Sequence, residues 1–210
     1  MAKIFSNILN NINSSLLHFP KSACRNGIEN QYYLMTIRKF KFKKVNSTNN
    51  TAIKIIKSTN LDYGMIISET QKKGKGQYGR KWISYKGNLF VSFFYNLNRI
   101  NLSIKQLTRI NCLLVKKLIS NFYKKKIVFK SPNDLFINKK KISGILQETI
   151  TNNNHKYLIV GIGINIIKSP KIKNYPTTNL LELVGKKIDY KLVANLLRSI
   201  FEKKILKYYK

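Results

Sequence analysis

The stretch DLFINKKKISGILQETI, residues 134–150, decides the fold. Its two β-rich runs, Asp134 to Asn138 and Lys141 to Ile150, are joined by Lys139 and Lys140 and are expected to pair as a hairpin. Tyr157 to Ile166 is almost continuously apolar and can add a third, buried strand. Ahead of the hairpin, Ile127 to Phe129 reads as a short strand that stops at Lys130-Ser131-Pro132, because proline lacks a ladder donor and biases its predecessor to extended geometry. Further out, Met65 to Thr70 and Asn88 to Tyr95 read as strands flanking a glycine-rich run from Gly74 to Gly79, and Val45 ends another strand. Helices are expected outside this block. Ser47-Thr48-Asn49 supplies capping residues ahead of Ala52, Ile53, Ile55 and Ile56. Residues 103–123 carry Ile104, Leu107, Ile110, Leu114, Leu118 and Phe122 on one stripe. The tail offers helices at Asn179 to Val184 and Lys191 to Tyr208, the second capped by Asp189. Strands in the middle with helices around them make an α+β fold more natural than an alternating parallel one.

A chain of 210 residues accommodates one domain and a short extension. Residues 1–40 hold no recognisable module beyond a short helix at Ile4 to Leu17, so the domain is expected over 41–210. Hydrophobic residues make up 43% and charged residues 23%, enough apolar material to exclude wholesale disorder. The 40 basic and 8 acidic residues leave a net charge of +32, which raises nucleic acid or an anionic membrane as partner. Yet 34 of the 40 are Lys and six are Arg, a compositional bias rather than the arginine-rich signature of base and phosphate clamps. No specific DNA binding is expected, only weak, salt-sensitive attraction to polyanions. Cys24 and Cys112 have no metal-binding or disulfide spacing, which points to a reducing compartment. Tyr157 to Ile167 is about half of what a bilayer requires, so no membrane span is expected. Residues 1–28 lack acids and carry Lys3, Lys21 and Arg25. They read as a basic leader of a cytoplasmic protein, with an organellar transit peptide as the alternative.

Three segments can carry chemistry. In GKGQYGRKW, residues 74–82, three glycines alternate with cations, so that backbone N–H groups can approach an anion while side chains neutralise it. The spacing is neither a Walker loop nor a dinucleotide fingerprint, and alone it also fits a solvated basic hairpin loop. In KSPND, residues 130–134, Asp134 is one of eight acids and sits beside a Pro-Asn turn entering a strand; a purely structural turn is the alternative. Beyond it, alternation places Lys141 and Ser143 on one face and Ile142 and Gly144 on the other. In GIGIN, residues 161–165, Asn165 stands in an apolar strand among small residues, a place where backbone or ligand approaches closely or where a core amide is satisfied internally.

Taken together and in order with Ser47-Thr48-Asn49, these segments resemble the catalytic domain of bacterial biotin protein ligases. The family's S-T-N matches Ser47 to Asn49, and its E-x-Q-x-x-G-R-G-R-x-G-R-x-W matches Glu69, Gln71, Gly74, Gly76, Gly79, Arg80 and Trp82. Its K-W-P-N-D matches Lys130, Pro132, Asn133 and Asp134; its K-x-x-G-I-L matches Lys141, Gly144, Ile145 and Leu146; its G-x-G-I-N matches Gly161, Gly163, Ile164 and Asn165. The resemblance covers residues 42–208 and implies a mixed, largely antiparallel β-sheet flanked by helices.

It also implies a chemistry: biotin and ATP, with Mg²⁺, condense to biotinyl-5′-AMP, and the biotinyl group passes to a lysine of the biotin carboxyl carrier protein of acetyl-CoA carboxylase. Setting a carboxylate against an α-phosphate costs ~1 kcal/mol in water and ~4 at an effective dielectric of 20. By the resemblance Lys141 offsets that repulsion, and Asp134 is the candidate base for the acceptor lysine. Ser47, Thr48, Asn49, Gln71, Gly74, Lys75, Gly76, Gln77, Lys141 and Gly144 are expected around biotin. Lys75, Gln77, Arg80, Trp82, Asn133, Lys141 and Asn165 are expected around the adenylate, with no residue as a direct metal ligand. The implied pattern departs at Lys75 and Gln77, where the family has Arg, so weaker closure of the loop over the adenylate is expected, and at Ser131, where it has Trp, so a looser wall beside Asn133 is expected. The family's C-terminal β-barrel and a DNA-binding helical module have no counterpart in the sequence, and a homodimer is compatible with it. Lipoate ligation, an anion-binding module and a biotin binder without turnover are the competing readings.

Overall fold

Two tight turns organise the sheet. Asn138 and Lys139 have φ of 48° and 61°, and Asn153 and Asn154 have 48° and 60°. Both central residues of each turn are left-handed, as the two-residue hairpin turn that matches strand twist requires. The first link is therefore Asn138-Lys139 rather than Lys139-Lys140, because Asn tolerates the left-handed region that the first turn position demands.

A computed structural model describes residues 36–59, 61–173 and 175–209. They lie in Met35–Lys210, the second of two compact units. The short helix expected at Ile4 to Leu17 and the basic leader fall outside the described residues. In chain order the elements are β1 (Lys39–Val45), α1 (Thr48–Ser58), β2 (Tyr63–Gln71), β3 (Leu89–Asn96), α2 (Ile104–Ser120), β4 (Val128–Lys130), β5 (Asp134–Ile137), β6 (Lys140–Asn152), β7 (His155–Ile164), α3 (Leu180–Val184) and α4 (Tyr190–Ile205). They form one seven-stranded sheet in the order β1-β2-β3-β7-β6-β5-β4. Only β1 and β2 run parallel; every other neighbouring pair is antiparallel. This is the mixed, largely antiparallel sheet with flanking helices that the sequence reading expects.

All eight residues of β3 are buried, so both faces of the sheet centre are covered. Phe94 joins Ile66, Ile159 and the α1 residues Ala52, Ile55 and Ile56 on one face. Val91, Phe93 and Tyr95 join the larger core beneath α2 and α4 on the other. There Phe93 stacks on Phe201 with ring centroids 4.1 Å apart. Each such side chain contributes roughly 1.5–3 kcal/mol by leaving water. Helix α2 begins with a reciprocal cap, Ser103 accepting from the Gln106 backbone while the Gln106 side chain accepts from the Ser103 N–H. Its buried face runs through Leu107, Asn111, Leu114 and Leu118, whereas Ile104 at the first turn is exposed.

One irregularity matters for the site. Leu135 pairs with Ser143 but Phe136 pairs with Lys141, which leaves Ile142 as an extra residue on β6. Such a bulge breaks alternation and re-aims the side chains beside it. Ile142 and Ser143 are both buried, and Lys141 and Gly144 share one face. The sequence reading paired Lys141 with Ser143 and Ile142 with Gly144; the bulge replaces that pairing.

Candidate active site

The face of the sheet that carries α1 opens into a cleft holding about 690 Å³ counted out to its mouth. Its floor is made by missing side chains. On β7, Gly161 and Gly163 point to this face, alternating with Val160, Ile162 and Ile164 in the opposite core. A methyl group on Gly161 would strike the Asn49 amide, and one on Gly163 would strike the indole of Trp82. On β6, a methyl on Gly144 would come within 2.8 Å of the same indole. Trp82 therefore lies against two glycine positions, and only residues without a side chain leave it that room.

The N-terminus of α1 forms one wall. Thr48 donates to the Gln71 side-chain oxygen Oε1 through its backbone N–H (2.8 Å) and its hydroxyl (3.1 Å), while the Gln71 side-chain nitrogen donates to the Ser84 hydroxyl. Ser47 is the helix N-cap and makes no side-chain cap hydrogen bond. Asn49 lines the cleft but its polar atoms are engaged: it donates to Glu148 (2.7 Å) and accepts from Ser92 (2.5 Å).

The glycine-rich loop forms the opposite wall as a small hairpin. Lys75 bridges Lys81, the Gly76 N–H donates to the Arg80 carbonyl (2.7 Å), and the Trp82 N–H donates to the Gly74 carbonyl (2.9 Å). Its tip turns at Tyr78 and Gly79, both with positive φ, and exposes the Tyr78 ring. The loop is rooted where the Lys72 and Lys73 N–H groups donate to the carbonyls of Val45 and Asn46. Lys75, Gly76, Gln77 and Arg80 line the cleft, while Gly74 is not among its lining residues and packs against Trp82 and the Gln71 amide, leaving no room for a Cβ.

Between the walls stands Lys141. Its side chain is 13% exposed, and its ammonium lies 2.7 Å from Asp134 Oδ2. The rings of Trp82 and Tyr175 flank the ammonium at 5.7 Å and 5.2 Å from their centroids. Its backbone is pinned on both sides, the Lys141 N–H donating to the Pro176 carbonyl and the Thr178 N–H to the Lys141 carbonyl. The ammonium, paired with Asp134, is thus held in one place, where it can meet anions that enter the cleft.

Asn133 lines the cleft, but its side-chain amide donates to the Ile145 carbonyl (2.7 Å) and closes the turn onto β6. Asn165 lies behind Trp82 in a small adjoining cavity that Lys141 and Tyr175 also line. Its amide nitrogen donates to the Thr178 carbonyl, while its buried amide oxygen has no protein partner. Sequence reasoning overlooked Tyr175 and Glu148. Tyr175 sits in a Lys- and Pro-rich stretch without periodicity, so nothing local marks it. Glu148 is scarce as an acid but reads as one outward residue of a strand. Among the described residues no group of three or more His, Cys, Asp or Glu could hold a metal ion.

A family model described as the biotin/lipoate A/B protein ligase family matches residues 41–165. The bifunctional ligase/repressor BirA of Bacillus subtilis is 28% identical over 172 residues, 78% of this chain and 52% of its own length. The chain thus spans about half the length of that relative. A structure of the biotin protein ligase from Aquifex aeolicus in complex with biotin and ATP aligns at a TM-score of 0.69 and 30% identity, over 82% of this chain and 72% of that one. The Leishmania major biotin protein ligase in complex with biotinyl-5-AMP aligns at 0.70 and 22% identity over 82% of this chain and 76% of that one, a likeness of fold.

Proposed function

This chain belongs to the biotin/lipoate A/B protein ligase family, and on that premise we propose that it activates biotin with ATP and transfers it to a lysine of a biotin carboxyl carrier protein. The observation that carries the reading is the placement of Lys141. Its ammonium sits in the cleft between the glycine-rich loop and the α1 wall, at the point where residues of the matching motifs meet.

In the first step a biotin carboxylate oxygen bonds to the α-phosphorus, and the bond from that phosphorus to the bridging oxygen breaks as pyrophosphate leaves with its electrons. Lys141, beside both reacting anions, offsets their repulsion and stabilises the charge that gathers on the α-phosphate. Thr48 and Gln71 offer a polar wall for the ureido ring, and Trp82 an apolar one for the ring system. In the second step the acceptor amine attacks the acyl carbon, AMP departs, and the amine gives up a proton. Asp134, which lines the cleft beside Lys141, is the base we assign to take that proton. Mg²⁺ finds no fitting donor set here: Asp134 is the only acid lining the cleft among the described residues, and it is ion-paired. It would be held by the nucleotide's phosphates rather than by the protein. Gln77 lacks the cation of the family's Arg, so the lid is expected to retain the adenylate less tightly.

The test is pyrophosphate exchange with ATP, run with biotin and in parallel with lipoate, followed by mass measurement of a biotin carboxyl carrier domain. Exchange with biotin and a single mass increment on the carrier are expected. Exchange with lipoate alone, or with neither acid, would overturn the assignment.

A further inference from the structure

We propose that Glu148 is a positioning residue that fastens the glycine-rich loop to the floor of the cleft, acting through Lys75 on the loop and Asn49 on α1. Its two carboxylate oxygens are divided between these elements. Oε2 accepts from the Asn49 amide at 2.7 Å, and Oε1 lies 4.0 Å from the Lys75 ammonium. Asn49 is in turn fixed by Ser92 on β3 and by the Leu146 carbonyl on β6, in space that exists because residue 161 is glycine. One end of the chain of contacts is therefore rigid. The other end is the loop, which its own hydrogen bonds tie into a single hairpin. Holding Lys75 holds the hairpin. Among the described residues, Lys75–Glu148 is the one ion pair the loop makes, and the loop's backbone anchors lie at its root, before Gly74.

Lys75 also lines the cleft, so Glu148 decides where a loop cation stands relative to an anion bound there. The inference deepens the ligase reading and rests on it for its functional consequence: a fastened loop lengthens the stay of the adenylate. The attachment itself can be measured without any ligand.

The experiment is hydrogen–deuterium exchange of the amides of residues 74–80 in the ligand-free protein, at low and high salt. Glu148→Gln keeps an acceptor for Asn49 and removes the charge opposite Lys75. Loop exchange should rise roughly two- to fivefold, the range an exposed ion pair spans. Salt should raise wild-type exchange to the same degree and leave Glu148→Gln unchanged; a merely structural acid would show no such salt dependence. Lys75→Met should raise loop exchange to the same degree as Glu148→Gln, and combining the two should raise it no further. With biotin and ATP, Glu148→Gln should release free biotinyl-AMP faster by a similar factor. Unaltered loop exchange in Glu148→Gln, or salt-insensitive exchange in the wild type, overturns the proposal. If the wild type supports no biotin-dependent pyrophosphate exchange, the ligase reading fails while loop exchange still decides the fastening.

Discussion

Lys141 is the residue on which the chemistry turns, and its surroundings are built to hold an ammonium rather than to hide one. A carboxylate, two aromatic faces and a glycine beside its stem leave the charge partly buried but satisfied. Incoming anions must compete with Asp134 for it, and they do so with two charges against one. Lys141→Ala should lower the rate of adenylate formation on the order of 10²- to 10³-fold in single-turnover experiments, the usual effect of removing one donor to a developing oxyanion. Lys141→Arg, which keeps the charge but spreads it over a planar fork, should recover only part of that rate. A rate within a few-fold of wild type in Lys141→Ala would move the role to Lys75, Arg80 or Lys81, the other cations lining the cleft. Lys141 was legible because its spacing to Gly144 is a sequence property. Tyr175 was not, since its place beside the ammonium depends on how residues 165–179 return to the sheet, which no local pattern encodes.

At the level of elements, the hairpins were legible and their details were not. Alternating β-branched residues and paired Asn or Lys residues are enough to place β5, β6 and β7. The turn type assigns which two residues lie between strands, and the bulge at Ile142 depends on the register with the partner strand. A period-two reading therefore misassigns the faces of Lys141 and Ser143. The same turn offers a measurement. Lys139 occupies the second left-handed position with φ of 61°, where an L side chain costs about 1 kcal/mol or more and glycine costs nothing sterically. Lys139→Gly makes an Asn-Gly turn and should stabilise the protein by roughly 0.5–1 kcal/mol in urea unfolding, after allowance for the added freedom of the unfolded chain. Destabilisation by a comparable amount would mean that the link is not the two-residue turn described.

Over the whole molecule, a net charge of +32 acts on stability alongside a core that holds ionisable groups uncharged. Composition discloses the first and not the second, because burial is a property of packing. Cys112 sits on the buried face of α2, and burial, with the negative charge of Asp134 adding to it, pushes its thiol from an ordinary value of 9.0 up to about 11. A group whose folded pKa is raised contributes its full stability below the unfolded value and loses it as pH climbs to the folded one. The wild type should accordingly lose about 2–3 kcal/mol between pH 9 and pH 11 on account of this thiol, at ~1.4 kcal/mol per pKa unit. Other alkaline effects overlap: lysines lose charge and relieve self-repulsion, while Tyr95 and Tyr209, whose pKa values burial also raises, oppose ionisation. These are common to wild type and Cys112→Ala, so the difference between the two isolates the thiol. At pH 8 the variant should be the less stable by a fixed packing cost; denaturant unfolding repeated toward pH 11 should narrow that gap and then reverse it. A gap independent of pH would place Cys112 in contact with water and remove it from the core beneath the cleft.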